Sequence, residues 1–321
     1  MNIDIVTPAP PGSQHGNRAT ALRWADTLQR LGHSVSVREC FDQGDADMMV
    51  ALHARRSADS IRAFCELHPA RPLIVALTGT DLYGDVPSGD AKALESLERA
   101  NRLIVLHALP TGGLPESVLD KVRVVHQSLA PRPRRVTSHA RRCDVCVVGH
   151  LRPVKDPFRT AEATVGLPAS SRISVFHLGG ALSAEMERAA RQHESDNPQY
   201  HWLGELSHSE TLDRMADCQL MVISSIMEGG PTVLTEALAM QLPVLASKIP
   251  GHVGMLGDDY PGYFPVGDTG ALRTLLLKAE ADAAFYASLV AGVRGKADLA
   301  DPAREMEAWR ELLDEFDEFR R

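Results

Sequence analysis

Short apolar runs alternate with amphipathic stretches along the chain, and that alternation predicts strands and helices in turn. Ile3-Asp4-Ile5-Val6-Thr7 is an apolar run suited to a buried parallel strand. It passes into Pro8–Gly16, a loop rich in turn formers. Asn17 is then placed as a helix N-cap; Ala21, Leu22, Trp24, Ala25, Leu28 and Leu31 mark one helical face, and Gly32 closes the helix. Ser34–Val37 supplies the next strand and completes a strand-loop-helix-strand unit. Further strands are expected at Met48–Leu52 and Leu73–Leu77, each passing into a polar or glycine-containing turn, and at Leu103–Leu106 and Lys121–His126. One helix is expected at Ala91–Ala100.

The pattern restarts after Ala130-Pro131-Arg132-Pro133-Arg134-Arg135, which reads as a linker between domains. Strands are predicted at Asp144–Gly149, Ile173–Leu178, Tyr200–Leu203, Leu220–Ile223 and Pro243–Ala246. Helices are predicted at Pro157–Val165, Glu185–His193, Ser209–Ala216 with Ser209 as its cap, and Thr232–Met240. Such alternation implies right-handed crossovers and a parallel sheet in each half. The expected fold is therefore α/β, with two doubly wound Rossmann-like domains, residues 1–135 and 136–300, facing across a cleft. Trp309, Leu312, Leu313, Phe316 and Phe319 give residues 301–321 one apolar helical face, expected to pack back toward the N-terminal domain.

Composition narrows the classes of partner. The 321 residues are 44% hydrophobic and 24% charged, ordinary proportions for a globular protein. Against 34 Lys and Arg stand 42 Asp and Glu, a net charge of −8 that argues against nucleic acid and anionic lipid as partners. Any phosphate must be met by local cations, so small-molecule substrates are expected and the oligomeric state stays open. No run of 18 apolar residues marks a membrane span, and Met1 leads into prolines without the regions of a signal peptide. Five scattered cysteines suit a reducing compartment, so a cytoplasmic location is expected. Cys143 and Cys146 have metal-like spacing, but Cys146 falls inside an apolar strand pattern and no second ligand pair is near. Structural thiols, with no metal and no cofactor, are the expectation.

The most specific chemical signal is Glu228-Gly229-Gly230-Pro231-Thr232-Val233-Leu234-Thr235-Glu236. Pro231 suits the first turn of a helix, and the glycines are read as letting a ligand approach the backbone. The unpaired amides of that turn, about Thr232 to Leu234, suit an anion such as a diphosphate. Glu228 before the helix and Glu236 inside it suit paired hydroxyls of a sugar and a ribose. A second signal is Gly149-His150-Leu151-Arg152-Pro153-Val154-Lys155, which places two cations after a strand, where they can hold one diphosphate. Softer candidates follow other strands. They are the loop with Gly12, Ser13, Gly16, Asn17 and Arg18; the turn His53-Ala54-Arg55-Arg56; and Thr80-Asp81, where Asp81 either orients an acceptor or caps the turn. The glycine-rich segment Gly251–Gly257 is read either as a turn or as a loop that approaches a sugar.

Residues 224–247 resemble the signature of the retaining family-4 glycosyltransferases of the GT-B fold: a Glu, seven residues, then Glu-Ala-Leu-Ala and a Pro-Val-Leu-Ala strand. The resemblance implies that Glu228 contacts donor-sugar hydroxyls and Glu236 the ribose. The 149–155 segment is similar to the family's Gly-x-Leu-x-x-x-Lys, which implies that Arg152 and Lys155 are diphosphate ligands; with Glu228, and with His53 by its place after a strand, they are the expected catalytic residues. Gly149, Leu206 and residues 228–233 with Glu236 make up the implied donor side. Gly12, Ser13, Gly16, Asn17, Arg18, Arg55, Arg56, Thr80 and Asp81 make up the implied acceptor side. Pro8–Ser13, Ala21–Ala25, Ala51–Arg56, Leu77–Tyr83 and Gly262–Asp268 look like the selenosugar synthases of selenoneine biosynthesis. That branch joins selenophosphate to a UDP-sugar, typically UDP-N-acetylglucosamine, with loss of UDP and phosphate. One departure is Gly-Gly-Pro after Glu228 where the family more commonly has Gly-Phe-Gly, so the sugar cannot be copied across. A hydroxyl acceptor, a UDP-sugar epimerase or hydrolase, and a non-catalytic nucleotide-sugar binder stay open as alternatives.

Overall fold

The computed structural model describes residues 1–13, 16–109, 113–135 and 143–316; Gln14, His15 and Phe319 lie outside them. The chain divides into two compact units. One holds Met1–Ser128, Glu228–Thr232 and the segment from Pro302; the other holds Leu129–Met227 and Val233–Asp301.

The first unit is built from β1 (Asn2–Val6), α1 (Gly16–Arg30), β2 (Ser34–Arg38), β3 (Met48–Leu52), α2 (Ala58–Leu67), β4 (Leu73–Ala76), α3 (Ala91–Arg99), β5 (Arg102–Val105) and β6 (Val122–Val124). Its six strands pair in the order β2-β1-β3-β4-β5-β6, all parallel. Alternate residues feed two cores, as a doubly covered sheet requires. Met48, Val50 and Leu52 of β3 join Trp24 and Leu28 of α1 on one face, while Met49 and Ala51 join Ile61 and Phe64 of α2 on the other. Helix α1 already begins at Gly16, so Asn17 lies inside it rather than capping it. Helix α2 goes beyond the expected turn. It is ten residues long with three buried side chains, and Ser57 before it makes no side-chain cap because its Oγ bonds Leu52 O.

The second unit is built from β7 (Cys143–Val148), α4 (Arg159–Thr164), β8 (Ile173–Leu178), α5 (Ala184–Asp196), β9 (Tyr200–Gly204), α6 (His208–Ala216), β10 (Leu220–Ile223), α7 (Thr232–Met240), β11 (Val244–Ser247), α8 (Pro250–Leu256), β12 (Tyr263–Phe264), α9 (Thr269–Ala281) and α10 (Ala283–Arg294). Its strand order is β12-β11-β10-β7-β8-β9, again all parallel. Ser207, not Ser209, caps α6: its hydroxyl accepts from Glu210 N, and the Glu210 carboxylate accepts from Ser207 N. Residues 250–256, read as a turn or loop, form α8. Pro250 opens that helix, and burial of His252, Val253, Met255 and Leu256 offsets the cost of two glycines in it. Asp268 and Asp282 cap α9 and α10, two helices that the hydrophobic pattern did not delimit.

The last helix, α11 (Pro302–Asp314), returns to the first unit, where Trp309, Leu312, Leu313 and Phe316 enter the core of α1. Trp309 meets Trp24 edge-on with ring centroids 5.0 Å apart. Among the described residues no helix is long and apolar enough to cross a membrane.

Two expected outcomes follow from these cores. Trp309→Ala empties a fully buried site and should cost about 3–5 kcal/mol, read as a lower urea midpoint. Trp309→Phe, which also removes a buried indole N–H with no partner among the described residues, should cost distinctly less. In the second unit, buried His177 accepts from Tyr200 Oη at Nδ1 (2.8 Å) and donates from Nε2 to Gly149 O (3.2 Å). Burial holds its ring neutral and lowers its pKa to about 4. Between pH about 6.5 and about 4 the unfolded chain therefore binds a proton there that the folded chain does not. Stability should fall as pH drops through that window, by up to about 3 kcal/mol, and His177→Asn should flatten the slope by about one proton.

Candidate functional site

Strand order decides where chemistry gathers in each unit. In the second sheet successive strands run outward in both directions from β7 and β10, which lie side by side, so the loops leaving their carboxyl ends separate and leave a crevice. After β7 the chain turns through Gly149, whose backbone lies against Gly179. A Cβ on Gly179 would stand 2.0 Å from Gly149 O. Arg152 is exposed in extended backbone, and Pro153–Lys155 form one 3-10 turn. The turn ends on Asp156, a non-glycine residue with φ +45°, whose carboxylate is held by Arg159 Nε at 2.8 Å. Ser224, just beyond β10, donates its hydroxyl to Asp156 O (2.8 Å) and Lys155 O (3.1 Å), and Ile226 N donates to Val154 O (2.9 Å). These bonds join the Arg152–Lys155 loop to the segment that leads to Glu228.

Helix α7 carries Glu236, which is 5% exposed, and His208 Nε2 meets its Oε1 at 2.8 Å. His208 is not among the residues singled out in the sequence. It opens α6 and lies 28 residues from Glu236, so no sequence motif links the two. Leu206 is half-buried just before α6. Cys143 and Cys146 are buried in β7; burial pushes the Cys143 thiol up to about 12 and raises that of Cys146. Among the described residues no three His, Cys, Asp or Glu side chains group as a metal site.

In the first sheet the reversal falls between β1 and β3, and the predicted acceptor residues follow those two strands and β4. His53 directly follows β3 in left-handed backbone (φ +73°), a conformation costly for a non-glycine residue. Its ring is 2% exposed. Arg56 N donates to Nδ1 (3.3 Å), so Nε2 carries the proton and donates to Thr80 Oγ1 at 2.9 Å. Burial lowers the pKa of His53, the facing Asp81 opposes this, and the exposed Thr80 hydroxyl keeps its own proton to donate outward. Asp81 is fully buried; Thr78, Gly79, Leu82 and Ala54 amides donate to it at 2.8 to 3.0 Å. Of the two readings of Asp81, this is the capping one. Tyr83 follows, pushed up to about 12 by burial, with His107 Nε2 2.8 Å from its hydroxyl.

The predicted arginines differ in how far they are committed. Arg55, 52% exposed, pairs with Asp90 (2.9 Å) and Asp85 (3.6 Å). Arg56 is exposed. Arg18 Nε and Nη1 and Ser13 Oγ are buried without a hydrogen-bond partner among the described residues. Gly12 turns the loop with φ +79°, and Gly16, Asn17 and Arg18 form the first turn of α1.

The segment Glu228–Thr232 groups with the first unit. Its glycines allow a close approach within the chain itself. A Cβ on Gly229 would lie 2.5 Å from Gly79 N and from Thr78 C, and one on Gly230 would lie 2.4 Å from Leu106 Cβ. Pro231 then leads into α7, which opens on Thr232 and buries Val233.

Comparison with known proteins bears on the fold. Residues 134–291 match the family described as glycosyl transferases group 1. Sucrose-phosphate synthase from Thermosynechococcus elongatus superposes with a TM-score of 0.80 at 15% identity, over 98% of each chain. Anabaena HepE in complex with UDP gives 0.76 at 16% identity, over 98% of this chain and 100% of that one. Staphylococcal (S. aureus) TarM, in a complex that includes UDP, gives 0.65 at 14% identity over 83% of this chain and 55% of its own. Residues 134–291 thus carry a group 1 glycosyl transferase domain, in a chain with the GT-B fold.

Proposed function

We propose that this protein is a glycosyltransferase that takes a UDP-sugar, UDP-N-acetylglucosamine in the first instance, and transfers the sugar to the selenium of selenophosphate. The observation that carries the donor half is the carboxyl edge between β7 and β10. There the Arg152–Lys155 loop is hydrogen-bonded to the segment that leads to Glu228 and α7. Arg152 and Lys155 supply a forked guanidinium and a compact ammonium, and the first amides of α7 add a third source of positive potential. All three stabilise charge that grows on the diphosphate as the bond to the anomeric carbon breaks. Glu236, with one oxygen already met by His208, presents its other oxygen to a ribose hydroxyl. Glu228 takes hexose hydroxyls. That HepE is described in complexes with UDP and with UDP-glucose supports a uridine donor.

The acceptor half rests on the likeness of five segments to selenosugar synthases and on the unsatisfied groups of the first unit. Arg18 and Ser13 hold buried donors that an oxyanion would satisfy, and Arg56 adds an exposed cation. Arg55 contributes less, because two carboxylates already hold it. Selenium forms the new bond to the anomeric carbon while the bond to UDP breaks; water then cleaves selenium from phosphorus, releasing phosphate. His53 stays neutral and orients the Thr80 hydroxyl toward the acceptor.

Incubation with UDP-N-acetylglucosamine and selenophosphate should give a product of selenosugar mass with UDP and phosphate. Arg152→Ala and Lys155→Ala should each lower kcat by roughly 10²–10³-fold. Unchanged turnover of both variants at saturating donor would remove these residues from the mechanism. Transfer to alcohols but not to selenophosphate would replace the acceptor, and UDP release with no acceptor present would make the protein a hydrolase.

A further inference from the structure

Gln127 is 2% exposed, follows β6, and belongs to none of the motifs above. Its carbonyl oxygen accepts from Thr232 Oγ1 (3.0 Å), Arg23 Nη2 (3.1 Å) and Thr20 Oγ1 (3.2 Å). Its amide nitrogen donates to Gly230 O at 2.6 Å. Three donors on one side and an acceptor on the other fix which end of the amide is oxygen. Arg23 is itself held: its Nε lies 3.1 Å from both oxygens of Glu305 on α11. Trp24 Nε1 (2.8 Å) and Ser128 Oγ also donate to Glu305, which is 2% exposed. A buried carboxylate thus fixes an arginine, the arginine helps fix Gln127, and Gln127 grips the Gly230-Pro231-Thr232 turn from both sides. All of these residues belong to the first unit.

We infer that Gln127 is a positioning residue that sets where Glu228 is presented, by clamping the turn that follows it. Its consequence for turnover rests on the proposed UDP-sugar chemistry; the clamp itself does not. Gly230 O and Thr232 Oγ1 lie on either side of Pro231, so holding both leaves the intervening peptide little freedom. The backbone contact of Gly229 with Gly79 and the packing of Gly230 on Leu106 limit the remaining directions.

The test separates the clamp from the chemistry. Gln127→Glu keeps the side-chain volume and the acceptor for Thr20, Arg23 and Thr232 but removes the amide donor to Gly230 O. Gln127→Ala removes all four bonds. A Glu-specific protease cuts after Glu228 only when the turn opens, and its rate then follows the population of the open form. Cleavage of the Glu228–Gly229 bond, identified by mass, should rise about tenfold in Gln127→Glu and further in Gln127→Ala, the fold-change of one buried hydrogen bond lost. Cleavage after exposed Glu66 on α2 and Glu98 on α3, in the same unit, should keep its wild-type rate, which general loosening of that unit would not allow. In turnover, KM for UDP-N-acetylglucosamine should rise by about the same factor while kcat changes less. Cleavage at Glu228 no faster than wild type in the folded variants would overturn the inference. Should Gln127→Ala not fold, Gln127→Glu decides alone. A wild-type protein that turns over no UDP-sugar would overturn the proposed function, and the protease result would still judge the clamp.

Discussion

A strand that joins a parallel sheet must be delivered to its neighbour by a crossover, in most cases here through a helix, and this constraint organises both units. Every strand then ends at the same edge, and every strand-to-helix loop gathers there. Where the order of strands reverses, beside β7 and β10 in one sheet and β1 and β3 in the other, adjacent loops diverge and expose backbone amides and side chains. The residues singled out from sequence follow from that geometry. Arg152, Lys155 and Ser224 leave one pair of strands, while Gly12, Ser13 and His53 leave the other.

Within those edges, local hydrogen bonding sorts side chains that maintain the loops from side chains that can face a ligand. Asp81 has both oxygens engaged by the amides around it, so it shapes the turn before Tyr83. Asp156 takes a left-handed backbone at the end of the 3-10 turn and is tied down by Arg159. His53 and His177 are kept neutral by burial, and each passes a single directional hydrogen bond onward, to Thr80 and to Gly149. Arg152 is exposed in extended backbone, and Arg18 keeps buried donors that no described residue satisfies.

Strand runs were legible because a doubly covered parallel sheet demands nearly continuous apolar segments. Met48–Leu52 and Leu220–Ile223 coincide with β3 and β10. Helix α7 was legible because Pro231 and the glycines punctuate its start so strongly. Helix α2 was hidden, since its three buried positions are few and its cap residue bonds elsewhere. Helix α8 was hidden for the opposite reason: its glycines signal a turn, and burial overrides them. In the candidate site, the acidic pair and the basic pair stood out by spacing. His208 and Gln127 did not, because their partners are 28 and 103 or more residues away along the chain and only the fold brings them together.

The return of α11 to the first unit has a consequence for synthesis. Trp309, Leu312, Leu313 and Phe316 complete the core that begins with Ile3 and Trp24, so the amino-terminal half cannot close that face when it leaves the ribosome. The intervening unit, with its own core, can be finished while Trp24 still waits for Trp309. A nascent chain stalled before residue 302 would therefore carry an uncovered apolar surface, open to chaperones and to self-association.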